Sequence, residues 1–150
     1  MNETETPPGW RLSQPREDMI FQVCYGSWDD RTARGFLEEF NRLLPKLREI
    51  PWGLISDVTH WHMPQESTKQ LIMRHHRTIA ENGCKALGYF SGPGSLRWLE
   101  LYRLIPTDLP KDFFYRVNSQ RNKVIEELHG AGFPLEEQQL STFFREDIHR

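Results

Sequence analysis

The chain has 150 residues and a formal net charge of -2 at pH 7. A charge this close to zero gives no reason to expect a nucleic-acid partner or an acidic membrane surface. The length predicts one domain that can bury a sizeable core. An aromatic share of 12% favours a folded chain over a disordered one.

The N-terminus gives no sign of export. Residues 1–8 lack a basic start and an apolar core, and we expect them to form a flexible tail. No apolar run approaches the length that crosses a bilayer, so no membrane contact is expected. We therefore expect a cytoplasmic protein, in which Cys24 and Cys84 are reduced thiols in or beside strands. The two cysteines form neither a CxxC motif nor a metal-ligand spacing.

The first third of the chain predicts a hairpin and a helix. Residues 10–12 and 19–25 are the expected strands, the second being rich in β-branched and aromatic side chains. Asp29 or Asp30 is expected to cap the helix. Pro45 should kink this helix or end it nearby, because proline lacks a donor and clashes with the preceding turn. Its apolar stripe has helical spacing: Ala33, Phe36, Leu37, Phe40, Leu43, Leu44 and Leu47.

The central stretch, residues 52–83, predicts a buried strand, an exposed loop and a crossover helix. Leu54, Ile55 and Val58 form a short apolar run that suits a strand covered on both faces. The helix is expected to begin between Pro64 and Ser67, which forms a capping box with Gln70. The apolar face of this helix contains Thr68, Leu71, Ile72, His75 and Ile79.

Two adjacent histidines lie on this helix. His75 falls on its apolar face, and we expect a half-buried ring with a local partner rather than a metal ligand. If His75 is buried, its titration would make the domain sensitive to pH. His76 is expected to point away from the apolar face.

The rest of the chain continues the alternation of strands and helices. A strand is expected over residues 85–90, a third helix between Ser95 and Pro106, a last strand over 113–117 and a fourth helix that ends at Gly130. Alternating elements predict an α/β fold, in which about four helices pack on a mixed sheet of about five strands.

This order and spacing resembles the SpoIIAA-like, or STAS-like, family, which is named after anti-sigma-factor antagonists. The resemblance rests on the hairpin followed by residues 36–40, on Leu-Ile-Ser-Asp at 54–57 and on Lys-Ala-Leu-Gly-Tyr at 85–89. It covers residues 9–133, which we take as one domain, with residues 134–150 as an extension docked through Leu140, Phe143 and Phe144.

The resemblance implies a small, often non-enzymatic module that binds partners or ligands. The classical antagonists of the family carry a phosphorylatable serine in Asp-Ser-Ser-Gly at the start of the helix after the buried strand. The corresponding stretch here, residues 64–67, is Pro-Gln-Glu-Ser and lacks the Asp and the Gly. Ser67 is therefore interpreted as a helix cap.

The most reactive side chains follow the buried strand, where open α/β sheets bind their ligands. We expect a ligand-binding site in which Trp61 offers a stacking surface, His60 and His62 supply hydrogen bonds, and Asp57 orients them. The site comprises Asp57, Thr59, His60, Trp61 and His62. Two imidazoles on one side of an extended segment make a metal site conceivable. Because solvated histidines are the commoner outcome of this spacing, neither a metal nor another cofactor is assigned.

Three functions remain open. The first is a binding or regulatory module that uses residues 57–65 on a regulatory protein or a small ligand. Because interfaces are enriched in aromatic side chains, Trp98 and Tyr102 are expected in a contact surface, and a homodimer is plausible. The second is a metal-assisted hydrolase that uses His60, His62 and Asp57, with Glu66 as base. The third, an apolar-ligand or lipid carrier, ranks last because so short a chain leaves little room for a cavity.

Overall fold

The computed structural model describes residues 9–144. Within this range there are seven strands: β1 (Trp10–Arg16), β2 (Met19–Cys24), β3 (Gly26–Ser27), β4 (Trp52–Asp57), β5 (Trp61–His62), β6 (Cys84–Phe90) and β7 (Phe114–Asn118). Five of them form a mixed sheet, as predicted, and their order in it is β1-β2-β4-β6-β7. β1 is antiparallel to β2, and the other three strands run parallel to β2. β3 and β5 pair separately in a short parallel ribbon.

The same range contains six helices: α1 (Asp30–Asn41), α2 (Leu44–Leu47), α3 (Glu66–Glu81), α4 (Trp98–Tyr102), α5 (Arg121–Gly130) and α6 (Glu137–Phe144). About four were expected, and the difference comes from the short α2 and from α6. The parallel strands follow one another across the sheet, so right-handed crossovers place the connecting helices on one face. α5 and α6 follow the last strand and supply the core of the opposite face.

Strand β4 lies at the centre of the sheet, and all six of its residues are buried. Side-chain alternation sends Leu54 into the core beneath α1 and α3, and Ile55 into the core beneath α5 and α6. β2 divides its side chains in the same way, with Ile20 on the first face and Phe21 on the second. The central strand predicted from its apolar run is therefore an inner strand with both faces covered.

Local chemistry explains the ends of α1 and α2. Asp29 is the N-cap of α1, and its side chain accepts a hydrogen bond of 2.9 Å from the backbone N–H of Thr32. The helix that carries the apolar stripe is interrupted near Pro45, as predicted. α1 ends at Asn41, and Pro45 lies in the first turn of α2, where its missing donor costs no helical hydrogen bond.

The start of α3 differs from the predicted capping box. The helix begins at Glu66, and its N-cap, Gln65, makes no side-chain capping bond. Ser67 donates its hydroxyl to the Asp30 carboxylate at 2.9 Å, and Gln70 donates to Glu66 at 2.9 Å. A carboxylate is a stronger acceptor than a neutral partner, and α1 places one within reach of Ser67.

Several predicted boundaries fall inside longer or shorter elements. β1 extends to Arg16 rather than ending at residue 12, and α4 covers only the middle of the helix expected between Ser95 and Pro106. In the extension, Leu140 and Phe144 of α6 are buried in the core of the second face. The predictions for residues 1–8 and 145–150 lie outside the described residues. None of the helices within residues 9–144 is long and apolar enough to cross a membrane.

Helix α5 packs unusually close to the sheet at Gly88. A Cβ atom added at this glycine would lie 2.3 Å from Cγ1 of Val124, well inside the contact distance of two carbon atoms. The glycine of β6 therefore sets the distance between α5 and the sheet, and a side chain here would push the helix away.

We expect Gly88→Ala to lower the free energy of unfolding by roughly 1–3 kcal/mol through overpacking. Urea denaturation followed by circular dichroism measures this loss. Gly130→Ala is the matched control, because a Cβ there meets nothing within 4 Å and should leave stability unchanged or raise it. If close packing is the cause, Gly88→Ala combined with Val124→Ala should cost less than the sum of the single losses. Additive losses would contradict it.

Candidate functional site

The candidate site lies at the carboxyl end of the parallel strands. Asp57 ends β4, and the chain then turns back so that β5 pairs with β3. The turn is closed by a 3.2 Å hydrogen bond from the N–H of Trp61 to the carbonyl of Val58. A second bond, 2.9 Å long, joins the N–H of Gly26 to the carbonyl of His60. The predicted open loop is thus a hydrogen-bonded turn. Its pairing with β3 could not be predicted, because strands of two residues are too short to leave a pattern in the sequence.

Asp57 is a structural carboxylate in this turn. Only 1% of the residue is exposed, and its Oδ1 accepts a 2.9 Å hydrogen bond from the N–H of Thr59. Its Oδ2 has no hydrogen-bond partner among residues 9–144. The expectation that Asp57 orients the two histidines is wrong, because its described bond holds the backbone of the turn.

Trp61 lies under the turn rather than on it. The residue is 3% exposed, and its ring packs edge-on against Trp28 with the ring centroids 5.4 Å apart. The predicted stacking surface for a ligand is therefore wrong. The reason is the pairing of β5 with β3. Successive side chains of a strand point to opposite sides, and the side chain of Trp61 points to the inner side.

His62 takes the outer side and faces a cleft of about 460 Å³ between the first turns of α1 and α3. Its Nδ1 lies 3.0 Å from the hydroxyl of Ser27. Asp30 crosses the same junction and accepts hydrogen bonds from Ser67 and from Thr68, the latter at 2.6 Å. These bonds hold the pKa of Asp30 below its ordinary value.

His60 and Thr59 face a second cleft of about 530 Å³ on the side of α5 and α6. His60 is exposed, Thr59 is half-buried, and Gly92 packs so closely on Thr59 that a Cβ there would lie 2.8 Å from its methyl group. The cleft is lined by Thr59, His60, Phe90, Gly92, Pro93, Ser119, Gln120, Arg121, Asn122 and Phe144. The structure thus divides the five predicted site residues into two clefts and a buried pair.

This division separates the donors of the hypothetical metal site. His60 and His62 line different clefts, and within residues 9–144 no group of three or more His, Cys, Asp or Glu side chains is placed to hold a metal ion. Glu66, the base of the hydrolase hypothesis, accepts a hydrogen bond from Gln70. Burial raises the pKa of Cys24 to about 12, so this thiol is not a nucleophile at neutral pH.

Arg97 belongs to this site, although the sequence analysis assigned it no role there. Its guanidinium donates to the carbonyls of Val58 and Trp61, which are the two ends of the turn. A planar fork with several donors suits two convergent carbonyls. Arg97 therefore fastens the residues before α4 onto the turn at the end of β4.

The segment around Arg97 exposes several large apolar side chains to solvent. Leu96 is 84% exposed, and Trp98 and Leu99 are each 47% exposed. Trp98 packs edge-on against Tyr102 at 6.3 Å, and Tyr102 packs on Tyr115 at 5.3 Å. We call Leu96, Trp98 and Leu99 the α4 patch. Of the two aromatic residues expected at an interface, Trp98 is exposed and Tyr102 lies half-buried behind it.

The two histidines of α3 are both buried. The prediction that His76 points away is wrong, because its Nδ1 lies 2.8 Å from the carbonyl of Leu104 and its Nε2 contacts the hydroxyl of Tyr89. A carbonyl can only accept, so Nδ1 carries the proton and Nε2 accepts from Tyr89. His75 packs against the rings of Phe36 and Phe40. Helical spacing alone did not predict the burial of His76, because α3 is covered on more than one side.

Burial makes these histidines resist protonation. It lowers the pKa of His75 to about 3 and that of His76 to about 4, against an ordinary value of 6.5. Below pH 6.5 these two histidines therefore bind protons in the unfolded chain but not in the folded chain. Their contribution to stability is complete above that pH and is lost as the pH falls towards 4.

We expect the free energy of unfolding to fall between pH 6 and pH 5 by about 1.4 kcal/mol per pH unit for each buried histidine. Urea titrations at several pH values measure this slope. Lowered pKa values confine Asp29 and Asp30 to a more acidic range, so they do not contribute here. His75→Phe removes one titrating group and should reduce the slope by about half. An unchanged slope in this variant would contradict the assignment.

Removal of the Arg97 fork should loosen the turn. We expect Arg97→Met to lower the free energy of unfolding by about 1–3 kcal/mol, since two carbonyls lose a charged donor. Hydrogen exchange should quicken at the amide of Trp61, whose bond to Val58 closes the turn. Arg103→Met, at an exposed arginine after α4, is the control. Equal exchange in the two variants would show that Arg97 does not hold the turn.

Comparison with known proteins bears on the fold. No protein-family model matches the chain, and no curated protein matches it. Among solved structures, the chain matches the anti-sigma factor antagonist SpoIIAA in its unphosphorylated form with a TM-score of 0.52. The match covers 81% of this chain and 96% of that chain at 12% sequence identity. Such an identity establishes architecture and leaves function to the site. The chain therefore has a SpoIIAA-like fold, which confirms the resemblance predicted from the order of its elements.

Proposed function

We propose that this chain is a non-enzymatic regulatory module that binds a protein partner. The proposed binding surface combines the exposed part of residues 57–65 with the α4 patch. The single observation that carries the proposal is the exposure of three large apolar side chains on one short segment. Solvent-exposed leucine and tryptophan side chains side by side are characteristic of surfaces that another molecule covers.

Arg97 links the two parts of this proposed surface. Its bonds to Val58 and Trp61 hold the start of α4 against the turn, so the α4 patch and His60 belong to neighbouring surface segments. Tryptophan, which the α4 patch contains at position 98, is among the residues that most often dominate binding energy at interfaces. A rigidly held apolar patch also loses little conformational entropy when it binds.

The likeness to SpoIIAA supports a regulatory role. That protein is an anti-sigma factor antagonist, and its name describes action on another protein. We infer by analogy of fold that the partner here is also a protein of a regulatory system. A second copy of the chain is a further candidate for the same surface. The cytoplasm is the proposed compartment, which the two buried thiols within residues 9–144 support because they form no disulfide.

A small ligand at the same edge of the sheet is the second candidate. The cleft of about 530 Å³ beside Thr59 and His60 has the size of ordinary ligand sites. The hydrolase and lipid-carrier hypotheses find less support. The histidines of the first are separated between two clefts. For a carrier, the described interior offers a cavity of about 10 Å³ beneath Trp61, far too small for an acyl chain.

The test replaces the patch and follows binding. Trp98→Ala with Leu99→Ser should weaken partner binding at least 30-fold, since hot-spot truncations cost about 2 kcal/mol or more. Cross-linking in the expressing cells identifies proteins that contact the native chain, and calorimetry with the purified partner measures the affinity. Light scattering reports self-association in the same variants.

Ile50→Ser is the matched control, because Ile50 is an exposed apolar residue before β4, at the opposite end of the sheet. This variant should bind as the native chain does. A partner that binds the Trp98 and Leu99 variant with native affinity would overturn the proposed surface. Loss of binding in the Ile50 variant alone would move the interface to the other end of the molecule.

A further inference from the structure

A small internal cavity lies between the sheet and the helices α1 and α3. Its volume is about 10 Å³, and every residue around it is buried. The cavity is lined by Gln22, Cys24, Trp28, Phe36, Val58, Trp61, Ile72, His75 and Tyr89. A space of this size is at the lower limit of what one water molecule occupies.

Three side chains around this cavity each bring a polar atom that no group within residues 9–144 satisfies. These atoms are Oε1 of Gln22, Nε1 of Trp61 and Nδ1 of His75. They come from three different elements, β2, β5 and α3. Buried polar atoms are rarely left without a partner, because the lost hydration is not recovered. Three such atoms around one small space therefore indicate a shared partner.

We propose that the cavity is a binding site for a single internal water molecule. The indole N–H of Trp61 donates to the water oxygen, and the two water protons are donated to Gln22 and His75. Three hydrogen bonds are the usual number for a buried water. The chemistry matches atom for atom, with one donor and two acceptors around a molecule that offers two donors and accepts through its oxygen.

The protonation of His75 agrees with this arrangement. Burial lowers the pKa of His75 to about 3, so the ring is neutral at pH 7 and one of its nitrogens is an acceptor. The orientation of the Gln22 amide does not alter the conclusion. Its Nε2 donates to the hydroxyl of Ser56 at 2.9 Å, and Ser56 could equally donate to an oxygen in that place. In that orientation Nε2 of Gln22 would donate to the water, which would then accept two hydrogen bonds and donate one to His75.

This site explains how the Trp61 turn is held from below. Arg97 holds the carbonyl of Trp61 from outside, and the water holds its indole from inside. The turn is thereby attached to β2 through Gln22 and to α3 through His75. The water site lies in the interior of the domain and does not depend on a partner at the α4 patch.

Nuclear magnetic resonance of the native chain gives the first test. A long-lived water should produce a direct Overhauser effect from the water signal to the indole proton of Trp61. Trp52 is the internal control, because its indole donates to the carbonyl of Asn82 at 2.9 Å and lies outside the cavity. A high-resolution crystal structure should show one water within hydrogen-bond distance of all three atoms. A dry site in the crystal, or protein acceptors for the Trp61 indole, would overturn the proposal.

Filling the cavity should lower stability if it holds a water molecule and should preserve or raise stability if it is empty. Cys24→Val adds a methyl group beside the water, which should be displaced, leaving three polar atoms unsatisfied. Stability should then fall, and the Overhauser effect at Trp61 should disappear. Cys84→Val is the matched control at a buried cysteine that does not line the cavity. If Cys24→Val is as stable as the native chain, or more stable, the cavity holds no water. If that variant does not fold, the measurement on the native chain decides alone.

Discussion

The covering of β4 on both faces is the constraint on which the rest of this structure depends. A strand buried on both faces offers no polar surface along its length, so polar groups gather where it ends. Beyond Asp57 the backbone leaves the sheet, and its N–H and C=O groups must find new partners. They find the carboxylate of Asp57, the guanidinium of Arg97 and the short pairing with β3. The ordered turn follows from this requirement.

The same requirement divides the sequence His-Trp-His. Because β5 is a true strand, its two side chains must point to opposite sides, and the core beneath accepts the indole of Trp61 rather than an imidazole. The two histidines are left on the surface, each facing its own cleft. The two rings are therefore not placed to act on one ligand together. The apolar side chains before and within α4 lie on the segment fastened to this turn, which gives that surface its hydrophobic part.

Sequence patterns predicted the parts of the fold that depend on local periodicity. The stripe from Ala33 to Leu47, the buried run of β4 and the helix break just before Pro45 each reflect forces between near neighbours. The alternation of elements then determined the architecture. The site depended on long-range pairing instead. The β3–β5 ribbon, the fork of Arg97 and the contact of His76 with Tyr89 join residues that no short window contains. Of the α4 patch, the sequence analysis predicted only Trp98 as a surface residue. An apolar pattern along a helix does not show which of its side chains are left uncovered by the rest of the fold.

The two faces of the sheet are built from different chemistry, and this difference specifies how the helices sit. Beneath α5 and α6 the core is apolar and rich in phenylalanine, and Gly88 lets α5 approach closely. Beneath α1 and α3 two sets of polar contacts cross the core. One joins Gln22 to Ser56, and the other runs from Tyr89 through His76 to the carbonyl of Leu104. Apolar contacts tolerate sliding, whereas a hydrogen bond in a dry interior is lost by a shift of one residue, since its groups then lack water as well as partners. The polar contacts therefore fix the register of α3 against the sheet. Through the carbonyl of Leu104 they also fix the chain after α4, so the interior determines the position of the segment that carries the exposed patch.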